Sequence, residues 1–272
     1  MPLLLTLAGG VLTGIGKHPS AGAMLPDTRL RQTDVRIDAG RVAAYARVCG
    51  FGTTEPVPLT YPHILGFPLA AKLMAARSFP LPLLGLVHTS IEITQHWPLS
   101  VHDRPELTVY AEELRPHHRG TEAVVVTEAR LDGTLVWYDR STYLSRHRTD
   151  RTAPSEAPPV DPPAGAGHVE EWRLPAGLGR RHAAVSGDYN PIHLYPWTAR
   201  PFGFSRPIAH GMWTFARCVA AAAPPTDRPV TARAEFRAPV LLPATVTYAA
   251  EGGAFELRGR DRLHVTGTVG PG

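Results

Sequence analysis

Residues 61–78, YPHILGFPLAAKLMAARS, are nearly all apolar and too long for a strand. A helix with no polar stripe is one that is buried all round. Pro68 sits near its start, where a missing N–H is tolerated better than in the interior. Upstream, 41–51, RVAAYARVCGF, repeats apolar residues at helical spacing. Downstream the period changes. Runs rich in β-branched residues cover 86–95, 106–114, 121–130 and 134–144. Turn chemistry separates them at Asp103-Arg104-Pro105, His118-Arg119-Gly120 and Asp132-Gly133. The pattern is an antiparallel meander that wraps one central helix.

The same order then returns. A helical run leads into VSGDYN, a second apolar helix covers 208–222, and strands follow at 230–238, 244–251, 254–260 and 263–269. An internal duplication explains this. In the residue register, 45–51 sets against 182–188, Pro62 and Gly66 against Pro207 and Gly211, and Trp97-Pro98-Leu99 against Ala238-Pro239-Val240. Phe51 then takes the place of Asp188, and Pro56 falls where His193 stands, so the first half keeps the fold without the chemistry. The expected class is α+β, a double hot-dog: two antiparallel sheets, each around a long helix, pairing edge to edge. The expected divisions are a first half at 1–147 with a lead-in segment, a linker at 148–168 carrying five prolines, and a second half at 169–272.

The formal charge is +4, nearly all of the positive charge arginine. There is no basic run of the kind that binds nucleic acid. Two cysteines, Cys49 and Cys218, make no disulfide framework and suit a reducing, cytoplasmic setting. Residues 1–16 lack the basic flank of a signal peptide. They are also shorter than the roughly 20 residues of a membrane span. No Cys/His spacing for a metal is present.

The chemistry concentrates at 182–212. Asp188, Asn190 and His193 fall within six residues, with Gly187 and Pro191 opposing a regular helix there. An acid and an imidazole so placed can hold one water. Gly211 opens the second apolar helix, where a backbone N–H can stabilise a developing oxyanion. Residues 185–199, VSGDYNPIHLYPWTA, resemble the signature of MaoC-like (R)-specific enoyl-CoA hydratases and dehydratases. Ser186, Gly187, Asp188, Asn190, Pro191, Ile192, His193 and Ala199 fit that pattern, and His210-Gly211-Met212 follows. His182 departs from it, since the family usually has Tyr or Phe there.

The resemblance implies reversible conversion of an (R)-3-hydroxyacyl thioester to the trans-2-enoyl form, in fatty-acid or related lipid metabolism. Asp188 and His193 would be catalytic, and Gly211 would donate to the oxyanion. Ser186, Gly187, Asn190 and Pro191 would support the loop. No metal or organic cofactor is implied; coenzyme A or phosphopantetheine belongs to the substrate. Arg181, Arg200 and Arg206 crowd the stretch and suit phosphates or an acidic acyl carrier protein. A homodimer of double hot-dog chains fits the same resemblance. Two other functions compete. A hot-dog thioesterase would need a carboxylate on the second apolar helix, and 208–222 has none. A non-catalytic binding subunit would lose the Asp–His pair in both halves, and one half keeps it.

Overall fold

A computed structural model describes residues 17, 24–83, 85–150 and 167–272. Residues 1–16 and most of the expected linker lie outside them. Ten strands form one antiparallel sheet in the order β1-β3-β4-β5-β2-β7-β10-β9-β8-β6. The first half supplies β1 (Arg29–Gln32), β2 (Val87–Gln95), β3 (Glu106–His117), β4 (Gly120–Leu131) and β5 (Thr134–Arg146). The second supplies β6 (His168–Leu174), β7 (Val230–Phe236), β8 (Ala244–Glu251), β9 (Ala254–Arg258) and β10 (Leu263–Pro271). Each half has the same internal order, and the halves meet at β2 and β7. At that seam Glu92 pairs with Arg233 in register, and Arg233 Nε lies 2.9 Å from Glu92 Oε2.

The helices are α1 (Ala39–Cys49), α2 (Tyr61–Ala75), α3 (Leu178–Ser186), a single turn α4 (Pro196–Ala199) and α5 (Gly211–Ala222). Asp38 caps α1 by accepting from Arg41 N–H at 2.9 Å. The apolar helix α2 runs through Pro68, as its composition predicts, and buries residues from Tyr61 to Met74. Indole N–H groups tie the core together: Trp137 donates to Leu59 O at 2.9 Å and Trp213 to Val48 O at 2.8 Å. Both bonds satisfy a polar atom that burial would otherwise strand. Among the described residues no helix is long and apolar enough to cross a membrane.

Two parts of the sequence register hold. Gly50 and Gly187 each end a helix in the left-handed conformation, at φ 82° and 79°. Val57 N–H donates to Leu99 O as Ala209 N–H donates to Val240 O, which keeps Leu99 against Val240. Setting Gly66 against Gly211 fails. Gly211 opens α5, whereas Gly66 lies inside α2, where a Cβ would come 2.5 Å from Thr127 Cγ2. Gly66 is there so that the helix can lie close on β4. A uniformly apolar helix has no stripe to fix its register, so a slip of a turn or two leaves its pattern unchanged.

The consequence is a correction to the first half. From the capping glycine to the apolar helix it has residues 51–60, while the second half has 188–210. Pro56 does not stand in the place of His193. The chemistry-bearing segment is an insertion that the first half lacks. The edge strands β1 and β6 also went unread, because Leu30 and Trp172-Leu174 are nearly all the apolar signal they carry. β6 starts at His168, inside the expected linker.

Candidate active site

The insertion is built from short local bonds. Gly187 N–H closes α3 onto Ala183 O at 2.8 Å, and Asp188 N–H donates to Ser186 Oγ at 3.2 Å. Asn190 N–H donates to Asp188 Oδ1 at 3.1 Å. Asn190 Oδ1 in turn accepts from Ile192 N–H at 3.4 Å and caps a 3-10 turn, Pro191–His193. Thr198 Oγ1 donates to Pro191 O at 2.7 Å, and Ile208 N–H to Ile192 O at 3.0 Å, so the loop is closed on itself. Ser186, Gly187, Asn190 and Pro191 each contribute an atom to these loop bonds.

His193 is buried. Its Nδ1 donates to Ile208 O at 2.8 Å, which leaves Nε2 with a free lone pair. His210 donates from Nε2 to the Asp188 main-chain carbonyl at 2.9 Å and stacks on His193 with centroids 3.6 Å apart. Asp188 is part-exposed, with Oδ2 3.7 Å from His210 Nε2. One nitrogen or oxygen from each of Asp188, His193 and His210 lies within 4.8 Å of the others. A water with hydrogen bonds of about 2.8 Å spans such a gap. The two rings stack at 24°, so their in-plane lone pairs lie in two separate, nearly parallel planes.

Behind them lies a cavity of about 380 Å3, walled by both halves. Asp188, His193 and Gly211 line it from the second half; His63, His88 and Tyr143 line it from the first. Gly211 is the first residue of α5, so its N–H has no intrahelical partner. A Cβ there would meet the Phe236 ring at 3.3 Å. His182, an atypical residue for its position, is buried against His210 and Tyr45, with both ring nitrogens unpartnered.

The arginines fall into two groups. Arg119, Arg146 and Arg237 line the cavity. Arg181, Arg200 and Arg206 are exposed and outside its lining, and Arg206 donates to Pro243 O. Arg119 and Arg146 come from the β3–β4 turn and the end of β5, far from the motif in sequence. Only the sheet register, which sets Gly120 opposite Arg146, brings them together.

Burial holds these imidazoles neutral. His193 is pushed down to about 3, first by desolvation and then by His210. His88 and His182 fall well below the ordinary value for the same leading reason, and His210 is lowered too. In the unfolded chain such rings take up protons near pH 6.5, at about the free-imidazole value. Between there and about 3 the unfolded state binds more protons than the folded one, so stability falls as pH falls. Thermal unfolding is therefore expected at steadily lower Tm below about pH 6.5, with a plateau above it. A Tm unchanged between pH 7 and 4 would contradict neutral burial.

Residues 179–270 match the family model for the MaoC like domain. The chain is 37% identical to 3-hydroxyacyl-thioester dehydratase X of Mycobacterium tuberculosis over 272 residues, covering 98% of this chain and 96% of that protein. A crystal structure of HtdX from the same organism matches at TM-score 0.76 and 37% identity, over 89% of this chain and 99% of that one. Another Mycobacterium tuberculosis protein, described as a double hot-dog, matches at TM-score 0.53 and 12% identity, over 91% of this chain and 98% of that one. That last likeness is one of fold alone. Because similarity to the dehydratase runs through both halves and not only the motif-bearing one, the chain as a whole belongs to the MaoC-like dehydratase family.

Proposed function

We propose that this chain is a hydro-lyase that interconverts (R)-3-hydroxyacyl and trans-2-enoyl thioesters. The observation that carries the reading is the free Nε2 lone pair of the buried His193, with an Asp188 carboxylate oxygen within 4.8 Å of a His193 ring nitrogen, beside the N–H groups without intrahelical partners that open α5. In hydration, water held between Asp188 and His193 loses a proton to His193 Nε2 as its oxygen bonds the β-carbon. The electrons of the double bond move toward the thioester carbonyl, whose oxygen takes up negative charge at the Gly211 N–H. The imidazolium then returns the proton to the α-carbon, so one water is added and the enzyme is unchanged. A buried imidazole with a low pKa makes a strong acid once protonated, which favours that return. The nearby Asp188 charge offsets part of the cost of the transient cation. Dehydration is the same path reversed.

This chemistry needs no metal or organic cofactor. A thioesterase fits less well, because neither α2 nor α5 carries a carboxylate. Arg119, Arg146 and Arg237 suit the phosphates of coenzyme A or phosphopantetheine. The exposed Arg181, Arg200 and Arg206 suit the surface of an acidic carrier protein. Both cysteines are buried and unpaired, which supports a reducing cytoplasm. The relative's name, 3-hydroxyacyl-thioester dehydratase, supports the substrate class.

The test is hydration of a trans-2-enoyl-CoA series, followed by loss of the conjugated thioester absorbance. Wild type is expected to turn over. Asp188→Asn is expected to lose about 10²-fold in kcat, the lower end of what a positioned acid–base group contributes. Wild-type inactivity across the chain-length series, or full activity in the variant, would sink the reading.

A further inference from the structure

Two of the chain's cavities are related by the duplication, and only one of them holds the chemistry. The other, of about 220 Å3, lies between residues 51–59 of the first half and the C-terminal end of α5 from the second. Val57 N–H donates to Leu99 O and Ala209 N–H to Val240 O, which sets residue 57 against residue 209. Pro56, Val57, Pro58 and Leu59 then stand against Ile208, Ala209, His210 and Gly211. The first four line the second cavity, and the other four line the catalytic one. Phe51 and Asp188, each directly after a capping glycine, repeat the correspondence.

The counterpart cannot carry out the proton transfers of the catalytic cavity. No carboxylate, imidazole, thiol or guanidinium lines it. Its lining side chains are apolar except for the exposed hydroxyls of Thr53 and Thr226 and the amide of Gln95. A cavity so built can bind a molecule without transforming it.

Gln95 is out of place there. It follows Ile91 and Ile93 on the buried face of β2 and is 5% exposed. Among the described residues its side-chain amide has no hydrogen-bond partner. The stranded nitrogens of His88 and His182 are sealed in, whereas the Gln95 amide borders open space in the cavity. Burying an amide unpaired is costly, and the fold does not require it. Leu99 against Val240 also sets Gln95 against Phe236, whose ring lines the catalytic cavity. An amide kept where a ring fits points to a ligand group that completes it.

The lining also restricts the ligand. No cation stands in the wall, so an anionic group would be buried unpaired; the ligand is neutral. An apolar cavity of about 150 Å3 admits benzene. This larger one admits a ring or short chain with somewhat more bulk. The amide offers an acceptor oxygen and N–H donors, which match a hydroxyl or an amide group. We propose that this cavity is a second, non-catalytic ligand site, which takes a small neutral molecule, apolar in body, whose hydroxyl or amide group pairs with Gln95. The site stands independently of the hydro-lyase reading.

The experiment titrates the full chain with benzyl alcohol and with ethylbenzene, which carries a methyl in place of the hydroxyl, and follows NMR chemical shifts. In wild type, benzyl alcohol is expected to shift residues 51–59 and the end of α5. Gln95→Leu is expected to weaken benzyl alcohol binding about tenfold, roughly the effect of one hydrogen bond to a buried amide. Ethylbenzene is expected to bind that variant at least as well as wild type. Ala220→Leu fills the cavity from α5 and is expected to exclude both molecules. Absence of binding, or shifts confined to residues 188–210, overturns the proposal. Equal benzyl alcohol affinity in wild type and Gln95→Leu also overturns it. Wild-type affinity in Ala220→Leu does the same, and decides the matter if Gln95→Leu does not fold. None of these outcomes depends on enoyl-CoA turnover, so this proposal and the hydro-lyase reading can fail separately.

Discussion

His193→Ala is expected to lower kcat for enoyl-CoA hydration by about 10³-fold or more, with KM changed little, because the side chain acts on the proton in flight and not on the bound ground state. Three features combine in this one residue. Its Nδ1–H is spent on Ile208 O, which fixes the tautomer and leaves Nε2 as the basic nitrogen. Burial holds it neutral, at about 3, so the whole population is competent above pH 4 to 5, roughly one to two units above that value. Asp188 and His210 set their own polar atoms within 4.8 Å of it. No neighbour substitutes: with its Nε2–H on the Asp188 carbonyl, His210 has only Nδ1 left as a base, and that atom is fully buried. Stability should fall by about 1–3 kcal/mol, since Ile208 O loses its partner and His210 its stacking ring. The measurement is steady-state hydration beside a thermal melt. A variant that keeps more than a tenth of wild-type kcat would move the base elsewhere, and the first group to examine would be Asp188.

The motif around His193 was legible because its residues are adjacent in sequence and each acts locally, as the left-handed Gly187, the Asn190 cap and the Pro191 turn do. The fold was legible for a related reason. Helix and strand periods survive in sequence wherever one face is buried, so α2, α5 and eight of the ten strands could be read within a few residues. What stayed hidden was long-range. The His63–Asp139 pair joins residues 76 apart, and Arg119 meets Arg146 only through the β4–β5 register. The structure puts both His63 and His88 on the cavity wall. A single buried polar residue looks the same in sequence whether it faces a core or a cavity. The duplicated halves misled in one respect: the apolar helices could be slid along each other without penalty, which hid the insertion that holds the site.

Gly179→Ala is expected to damage both folding and catalysis, although Gly179 itself carries no functional group. Taken by itself, α3 should gain from the change, since alanine favours a helix over glycine by about 1 kcal/mol. The tertiary contact reverses the sign. A Cβ on Gly179 would stand 2.0 Å from His193 O and 3.0 Å from its carbonyl carbon. Those are backbone atoms, so no side chain can rotate away, and either α3 or the Pro191–His193 turn must move by about an ångström to restore ordinary contact. The turn is the weaker partner, a single 3-10 turn against a nine-residue helix capped at Gly187. Moving it carries the His193 ring off the water and strains its bond to Ile208 O. A displacement of that size at the reacting centre costs about 10²-fold in rate. The expected outcome is a lower Tm together with at least that loss in kcat, and a pH profile unchanged in shape because the titrating groups remain. A raised Tm with wild-type kcat would mean that helix propensity governs this position and that the close approach of α3 does not set the place of His193.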